Sequence, residues 1–192
     1  PMAAAASEPT LEEVIVTATL RPAASLEVPA SVTVLDRATL KEAGLQHLQD
    51  VLPLVPNLNW ASGSSRPRYF QLRGIGETDQ WQGAPNPSVG FLIDGMDFSG
   101  IGMPAMLLDL EQIEVLRGPQ GTTFGANALA GLLHVRSQKP TDEQQQRWEA
   151  SWGEAGVASL GLVAGGALGS ESAWRIAAQR YRADGARDNE FL

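Results

Sequence analysis

Ile113-Glu-Val-Leu-Arg-Gly-Pro-Gln-Gly-Thr-Thr-Phe-Gly-Ala-Asn-Ala-Leu-Ala-Gly-Leu-Leu-His-Val135 decides how this chain is read. The stretch opens as an alternating strand, breaks at Gly118, Gly121, Gly125 and Gly131, and resumes as a second apolar strand. Glycines at that density mark sharp turns or close approach of backbone to a neighbour. A flexible linker would be polar and serine-rich, whereas this run carries Phe124, Ala126, Ala128, Leu129 and Ala130. It therefore reads as a packed corner joining two strands.

Upstream of that corner, residues 29–140 read as a small α+β unit with short helices and long loops. Ser31–Leu35 alternates as a strand, Asp36 is placed to cap a short helix, and Gly44 to end it. Leu45, Leu48, Val51, Leu52 and Val55 recur at helical spacing, with Pro53 set to end or kink that helix. Leu58–Trp60 suits a short strand. Tyr69–Arg73 alternates and stops at Gly74, and Val89–Asp94 reads as a buried strand turned by Asp94-Gly95. Met106–Leu110 reads as one more short helix. The loops at 61–68, 77–87 and 97–104 carry charges and aromatics, which is common in functional loops.

Downstream of Lys139-Pro140 the pattern changes. Trp148, Ala150 and Trp152 alternate with polar residues. Leu160, Leu162 and Ala164 alternate with Ser159, Gly161 and Val163, and Trp174, Ile176 and Ala178 with Arg175, Ala177 and Gln179. Strands of this length with period-2 alternation, one small-residue face and terminal tryptophans suit either an outer-membrane barrel wall or a soluble antiparallel meander. Three strands cannot close a barrel, so the barrel reading makes this the front piece of a longer wall.

Composition narrows the classes. The 192 residues are 43% hydrophobic, enough for a core, and carry a net charge of −8, which disfavours a nucleic-acid binder. There is no cysteine, so disulfides, thiolate metal sites and cysteine nucleophiles are excluded. His47 and His134 lack a second ligand at metal spacing, so no metal or cofactor is expected. Gly118–Gly125 lacks the Lys-Ser/Thr of a phosphate loop. Asp94, Asp97, Asp109, Glu111 and Glu114 cluster in sequence, but Asp-Gly turns and exposed strand faces account for them more simply than a hydrolase does. The expectation is a non-enzyme.

At the N-terminus, Met2-Ala-Ala-Ala-Ala6-Ser7 has the small residues of a secretory cleavage site, near Ala6, or of a plain alanine-rich terminus. Glu12-Glu-Val-Ile-Val-Thr-Ala18 is strongly β-prone. Spacing alone favours a hairpin with Ser31–Leu35 over a strand that docks on another protein's sheet edge.

Four pieces in order resemble one family, the TonB-dependent outer-membrane transporters. Glu13-Val-Ile-Val-Thr-Ala18 resembles the TonB box. Val28-Pro-Ala-Ser-Val-Thr-Val-Leu35, Leu48-Gln-Asp-Val-Leu52 and Val55-Pro-Asn57 resemble the opening of the plug. Phe70-Gln-Leu-Arg-Gly-Ile-Gly76 and Val89-Gly-Phe-Leu-Ile-Asp-Gly95 resemble its middle, and Ile113–Gly121 with Phe124-Gly125 and Asn127-Ala128 its closing motif. Pro53 departs from the family's longer helix.

The resemblance implies residues 1–28 as signal remnant, box and linker, 29–140 as a plug of small mixed sheet and short helices, and 141–192 as the first three or so of roughly 22 antiparallel wall strands. It reverses the hairpin reading: Glu13, Val14, Ile15, Val16, Thr17 and Ala18 would add to an edge of TonB in the periplasm. Arg73 and Arg117 would lock onto barrel glutamates. Arg66, Arg68, Tyr69, Trp81 and Phe98 are ligand-contact candidates, and Gly74, Gly95, Gly118, Gly121, Gly125 and Gly131 are turn positions. The implied function is active uptake of a scarce small molecule, an iron-siderophore-type chelate, across the Gram-negative outer membrane, with lipid around the barrel and no nucleic-acid partner. The alternative is a soluble periplasmic binding or signalling module built from a plug.

Overall fold

The computed structural model describes residues 14–17, 23–24, 27–43, 47–61, 68–79, 87–100, 107–154 and 156–184. In chain order these form β1 (Ile15–Val16), β2 (Ala23–Ala24), β3 (Ser31–Asp36), α1 (Arg37–Glu42), α2 (Leu48–Val51), β4 (Leu58–Ala61), β5 (Tyr69–Leu72), β6 (Val89–Ile93), β7 (Met96–Asp97), β8 (Leu110–Arg117), α3 (Gly121–Phe124), β9 (Gly131–Ser137), β10 (Gln145–Trp152), β11 (Ala158–Ala167) and β12 (Ala173–Arg182). The chain is an α+β unit with a mixed sheet and short helices, followed by antiparallel strands.

The main sheet runs β3-β8-β9-β6-β7. Strand β8 pairs antiparallel with β3 and with β9, while β6 pairs parallel with β9. One face of this sheet carries the larger core. Ile113 and Val115 of β8, Leu133 and Val135 of β9, and Val89 and Phe91 of β6 pack there against Leu40, Leu48, Val51, Leu52, Phe70 and Leu72. The Phe70 and Phe91 rings meet at 5.5 Å, tilted by 45°. Side chains of this size contribute about 1.5–3 kcal/mol each when fully buried, so this face dominates the fold.

The opposite face is split. At one end Leu92, Leu116 and Leu132 are buried with Val32 and Phe124 against them. This is what the glycine-rich corner packs into: its one helical turn, α3, sets Phe124 on that cluster. At the other end the same face turns polar, with Gln112, Glu114 and His134 all buried. The reading of these carboxylates as exposed strand face is corrected: Glu114 is fully buried and Asp109 nearly so.

Local elements follow their residues. Asp36 caps α1 by accepting from the Thr39 amide at 2.8 Å; the expected stop at Gly44 lies outside the described residues. His47, expected on a polar helix face, is instead the cap of α2: its Nδ1 accepts from the Gln49 amide, and Asp50 accepts from the His47 amide. Pro53 converts the next turn to a 3-10 helix, Leu52–Leu54, which shortens α2. The Asp94-Gly95 turn closes β6 on β7 with both φ values positive, 49° and 81°, the geometry of a two-residue type I′ hairpin.

Two expectations change. The helix read at Met106–Leu110 is absent from its described part: Leu108 and Asp109 form a turn, Asp109 has φ 62°, and Leu110 begins β8. The strand at residues 15–16 pairs with Ala23–Ala24 and not with Ser31–Leu35, whose partner is β8.

The strands β10, β11 and β12 form a separate antiparallel sheet in that order. Trp148, Trp152, Leu160, Trp174 and Ile176 are exposed on one face. Gly161, Val163 and Gly165 on the other face of β11 are buried.

Of the six glycines read as turns, Gly74, Gly95, Gly118 and Gly125 have φ between 80° and 102°. Gly121 begins α3 in open space, and Gly131 is a close-approach position. A Cβ on Gly131 would lie 2.4 Å from the Leu116 carbonyl oxygen and 2.5 Å from Leu72 Cδ1. Gly131→Ala is expected to cost about 2 kcal/mol or more by overpacking, whereas Gly121→Ala is neutral or gains up to about 1 kcal/mol. Denaturant midpoints of the two variants check the contrast. Asp36 offers a pH test. Its hydrogen bonds with Thr39 hold the carboxyl below its ordinary value, so the cap's contribution is full above the unfolded carboxylate value and fades as pH falls through the lower folded one. Asp36→Ala should cost about 1 kcal/mol at neutral pH, with the gap to the parent closing in acid when both are melted across pH.

Candidate functional site

Functional readings converge on three places: the polar half of the second sheet face, the end of the sheet bearing Arg73 and Arg117, and the loops near Tyr69.

The polar half exists because β8 alternates. Ile113 and Val115 point into the main core, so Gln112, Glu114 and Leu116 must occupy the other face. A bulge at Glu111 breaks the β8–β9 register between Leu110 and Gln112 and leaves Glu111 paired with Arg136 at 3.3 Å. A buried carboxylate such as Glu114 is costly unless donors surround it. The N-terminal segment supplies them. Glu114 Oε1 accepts from the Thr17 amide at 2.9 Å and from the Thr17 hydroxyl at 2.8 Å, and also from Gln112 Nε2. Gln112 Nε2 also donates to the Ile15 carbonyl at 2.9 Å, and Arg136 donates to the Thr17 hydroxyl. His134 Nδ1 stands 3.6 Å from Glu114 Oε2. Val16 is fully buried, while Val14 and Ile15 remain partly exposed. Residues 14–17 are thus stowed on the sheet, one aliphatic side chain inward and one hydroxyl clasped between Glu114 and Arg136. Glu13 and Ala18 lie outside the described residues.

Sequence reading missed Gln112, Glu114 and Arg136 as a site. The available signal was two polar side chains, Gln112 and Glu114, at alternate positions of a strand whose other residues are aliphatic; such a strand either faces water or holds a partner.

At the other end of β8, Arg117 donates to the Thr33 hydroxyl at 2.8 Å and to the Pro56 carbonyl at 3.1 Å. Burial, and then the positive charge of nearby Arg73, pull the Arg117 guanidinium below its ordinary value. Arg73 sits in a left-handed turn with φ 55°, exposed, directly before Gly74. Among the described residues no carboxylate forms an ion pair with either guanidinium. The structure brings the two arginines together, and a nearby anion would relieve their repulsion.

Of the ligand-contact candidates, Arg68 donates from Nε to the Gly100 carbonyl at 2.8 Å, and its guanidinium lies 5.5 Å from the Tyr69 ring centroid. Phe98 is packed on the main core, half-buried, with its side chain committed to the fold. Arg66 and Trp81 lie outside the described residues. No cluster of three or more potential metal ligands occurs among the described residues.

Comparison with known proteins places this geometry. The family model for the TonB-dependent Receptor Plug Domain matches residues 24–132. The pesticin receptor of Yersinia pestis is 31% identical over 111 residues, 57% of this chain and 16% of that protein. The vitamin B12 transporter of Vibrio vulnificus strain YJ016 is 24% identical over 189 residues, 94% of this chain and 29% of that protein. Among solved structures, the ferripyoverdine receptor of the outer membrane of Pseudomonas aeruginosa superposes with a TM-score of 0.72 over 88% of this chain and 22% of that one, at 22% identity, a likeness of fold. The chain therefore spans less than a third of the length of each of these proteins.

Thr17→Val removes one donor to Glu114 and one acceptor from Arg136. In the intact protein it is expected to speed hydrogen exchange of the residue 16 and 17 amides by about tenfold, the scale of one hydrogen bond to a charged group. Unchanged exchange would mean that the clasp does not hold the segment.

Proposed function

The chain belongs to the family of TonB-dependent receptor plug domains, and from that premise we propose that it is the N-terminal part of an outer-membrane receptor for active uptake of a scarce ligand, an iron-siderophore-type chelate. In this reading residues 1–28 carry the signal remnant, the docking segment and its linker, residues 29–140 gate the pore, and residues 141–192 begin its wall. The observation that carries the reading is the placement of residues 14–17: a β-prone run stowed by a few polar contacts on the sheet it precedes.

Supporting the wall assignment, β10–β12 expose tryptophans and aliphatics on one face and turn arginine, glutamine and small residues to the other, the alternation of a lipid-facing barrel strand. That exposed apolar face would be a liability on a soluble periplasmic module. The ligand class draws on the names of the relatives, receptors for ferripyoverdine and pesticin and a transporter for vitamin B12.

Mechanistically, residues 13–18 would pair with an edge strand of TonB, main chain to main chain. Ile15 and Val16 are engaged with β2, and Thr17 with Glu114, so pairing requires that the clasp open first. Glu114 would then lose two of its donors, which ties release of the segment to the sheet that supports the gate. At the far end, Arg73 and Arg117 would meet carboxylates of the wall, relieving the repulsion between them. Arg68 and Tyr69 would face the ligand from the apical loops.

The test uses the receptor with its complete barrel. Val16→Pro removes a ladder donor and is expected to abolish retention on an immobilised TonB periplasmic domain and to stop uptake of the labelled iron chelate, while the cells still bind it at their surface. Retention and uptake at the parent level would overturn the docking assignment.

A further inference from the structure

A tie between the main sheet and the β10–β12 sheet involves none of the residues discussed above for docking or gating. The turn Leu108–Asp109, just ahead of β8, meets the inner face of β10–β12. Arg175 of β12 grips Asp109 with both arms of its fork, Nε to Oδ2 at 2.5 Å and the second terminal nitrogen to Oδ1 at 2.6 Å. Arg147 of β10 stands 3.4 Å from Oδ1. Both members of the main pair are almost wholly buried, with side-chain exposures of 7% and 4%. The remaining nitrogen of Arg175 donates to Gln145 of β10 at 3.0 Å.

The strand between them is shaped to allow this. Gln145, Gly165 and Arg175 lie in register across the three strands. At Gly165 a Cβ would stand 2.9 Å from the Trp174 carbonyl oxygen, so glycine lets β12 approach β11 closely beside Arg175. Four residues earlier, Gly161 leaves a pit that Leu108 fills, its Cδ1 3.0 Å from where a Cβ would stand. Asp109 itself is held with φ 62°, and its carbonyl accepts from the Gln138 amide at 2.9 Å, so the turn is pinned from the plug side too.

We infer that Leu108–Asp109 is a docking knob through which the plug seats on the wall, with Asp109 the positioning residue that fixes β8 against the first and third wall strands. The polarity is opposite to that proposed for Arg73 and Arg117: here the plug supplies the carboxylate and the wall the guanidiniums. The knob explains why the inner face of β11 carries Gly161 in a strand where small residues otherwise cost packing. It also gives the first three wall strands a register against the plug that does not depend on the remaining wall.

This inference rests on the receptor reading, and the experiment separates the two. Membrane insertion and chelate binding by the parent receptor, with its full barrel, test the receptor reading and are measured first. Hydrogen exchange is then followed at the amides of residues 110–112 and 138 in that parent and in variants. Asp109→Asn keeps the shape and tolerates the positive φ while removing the charge; Arg175→Gln removes the fork; Gly161→Leu fills the pit. Each is expected to raise exchange at those amides by about tenfold or more, the scale of losing one charged hydrogen bond. The exchanged pair Asp109→Arg with Arg175→Asp is expected to restore protection beyond either of its single changes. Parent-level protection in Asp109→Asn and Arg175→Gln overturns the proposal, as does a swapped pair no better than its singles. If a single variant is lost from the membrane, recovery by the swapped pair supports the knob and failure to recover overturns it.

Discussion

Strand β8 is buried on both faces, and that one constraint organises the molecule. A strand with no water on either side offers two alternating sets of positions, and every side chain must be apolar or fully partnered. Ile113 and Val115 meet the requirement by packing in the main core, and Leu116 by packing with Leu92 and Leu132. Glu114 can meet it only by finding donors. Those donors come from Gln112 on the same strand and from Thr17, nearly a hundred residues earlier. The first turn before the strand is fixed by Asp109, and its last residue, Arg117, closes on Thr33 of the neighbouring strand. A single strand, with the turn before it, thus touches residues 14–17 and the β10–β12 sheet and carries Arg117.

Much of this was legible from residues alone, for reasons that can be named. The Asp94-Gly95 turn, the Asp36 cap and the break at Pro53 are local chemistry, decided by φ preferences and one side-chain bond each. The period-2 alternation of β10–β12 is equally local. What could not be read was anything set by which strands meet. The carboxylates of β8 looked solvent-facing because a strand's second face shows its cover only after folding. Residues 15–16 appeared free to pair with Ser31–Leu35, but they pair with Ala23–Ala24 while Thr17 is held on Glu114 of β8. His47 gave no sign of being a cap, since histidine is not among the usual capping residues.

The candidate site divides along the same line. The ordered motifs of the sequence led to the family and to Arg73, Arg117 and residues 13–18. The side chains that hold residues 15–17 and the turn before β8 in place, Gln112, Glu114, Arg136, Asp109 and Arg175, are scattered over more than sixty positions and carry no shared pattern. Their partnership is a product of topology: β8 lies between β3 and β9, and its leading turn projects toward the β10–β12 sheet.

The strand order carries a consequence for how the protein comes to be. The last strand of the plug, β9, does not lie at an edge. It sits between β8 and β6, parallel to one and antiparallel to the other. Until residues 131–137 arrive, β6 and β8 each present an open hydrogen-bonding edge flanked by aliphatic side chains, the arrangement most prone to pairing with other chains. The sheet cannot be assembled strand by strand from its N-terminal end; it waits for an insertion at its centre. A chain threaded N-terminus first into a new compartment would spend that interval exposed, so its yield depends on how quickly the glycine-rich corner delivers β9 into the gap or on a chaperone that covers both edges meanwhile.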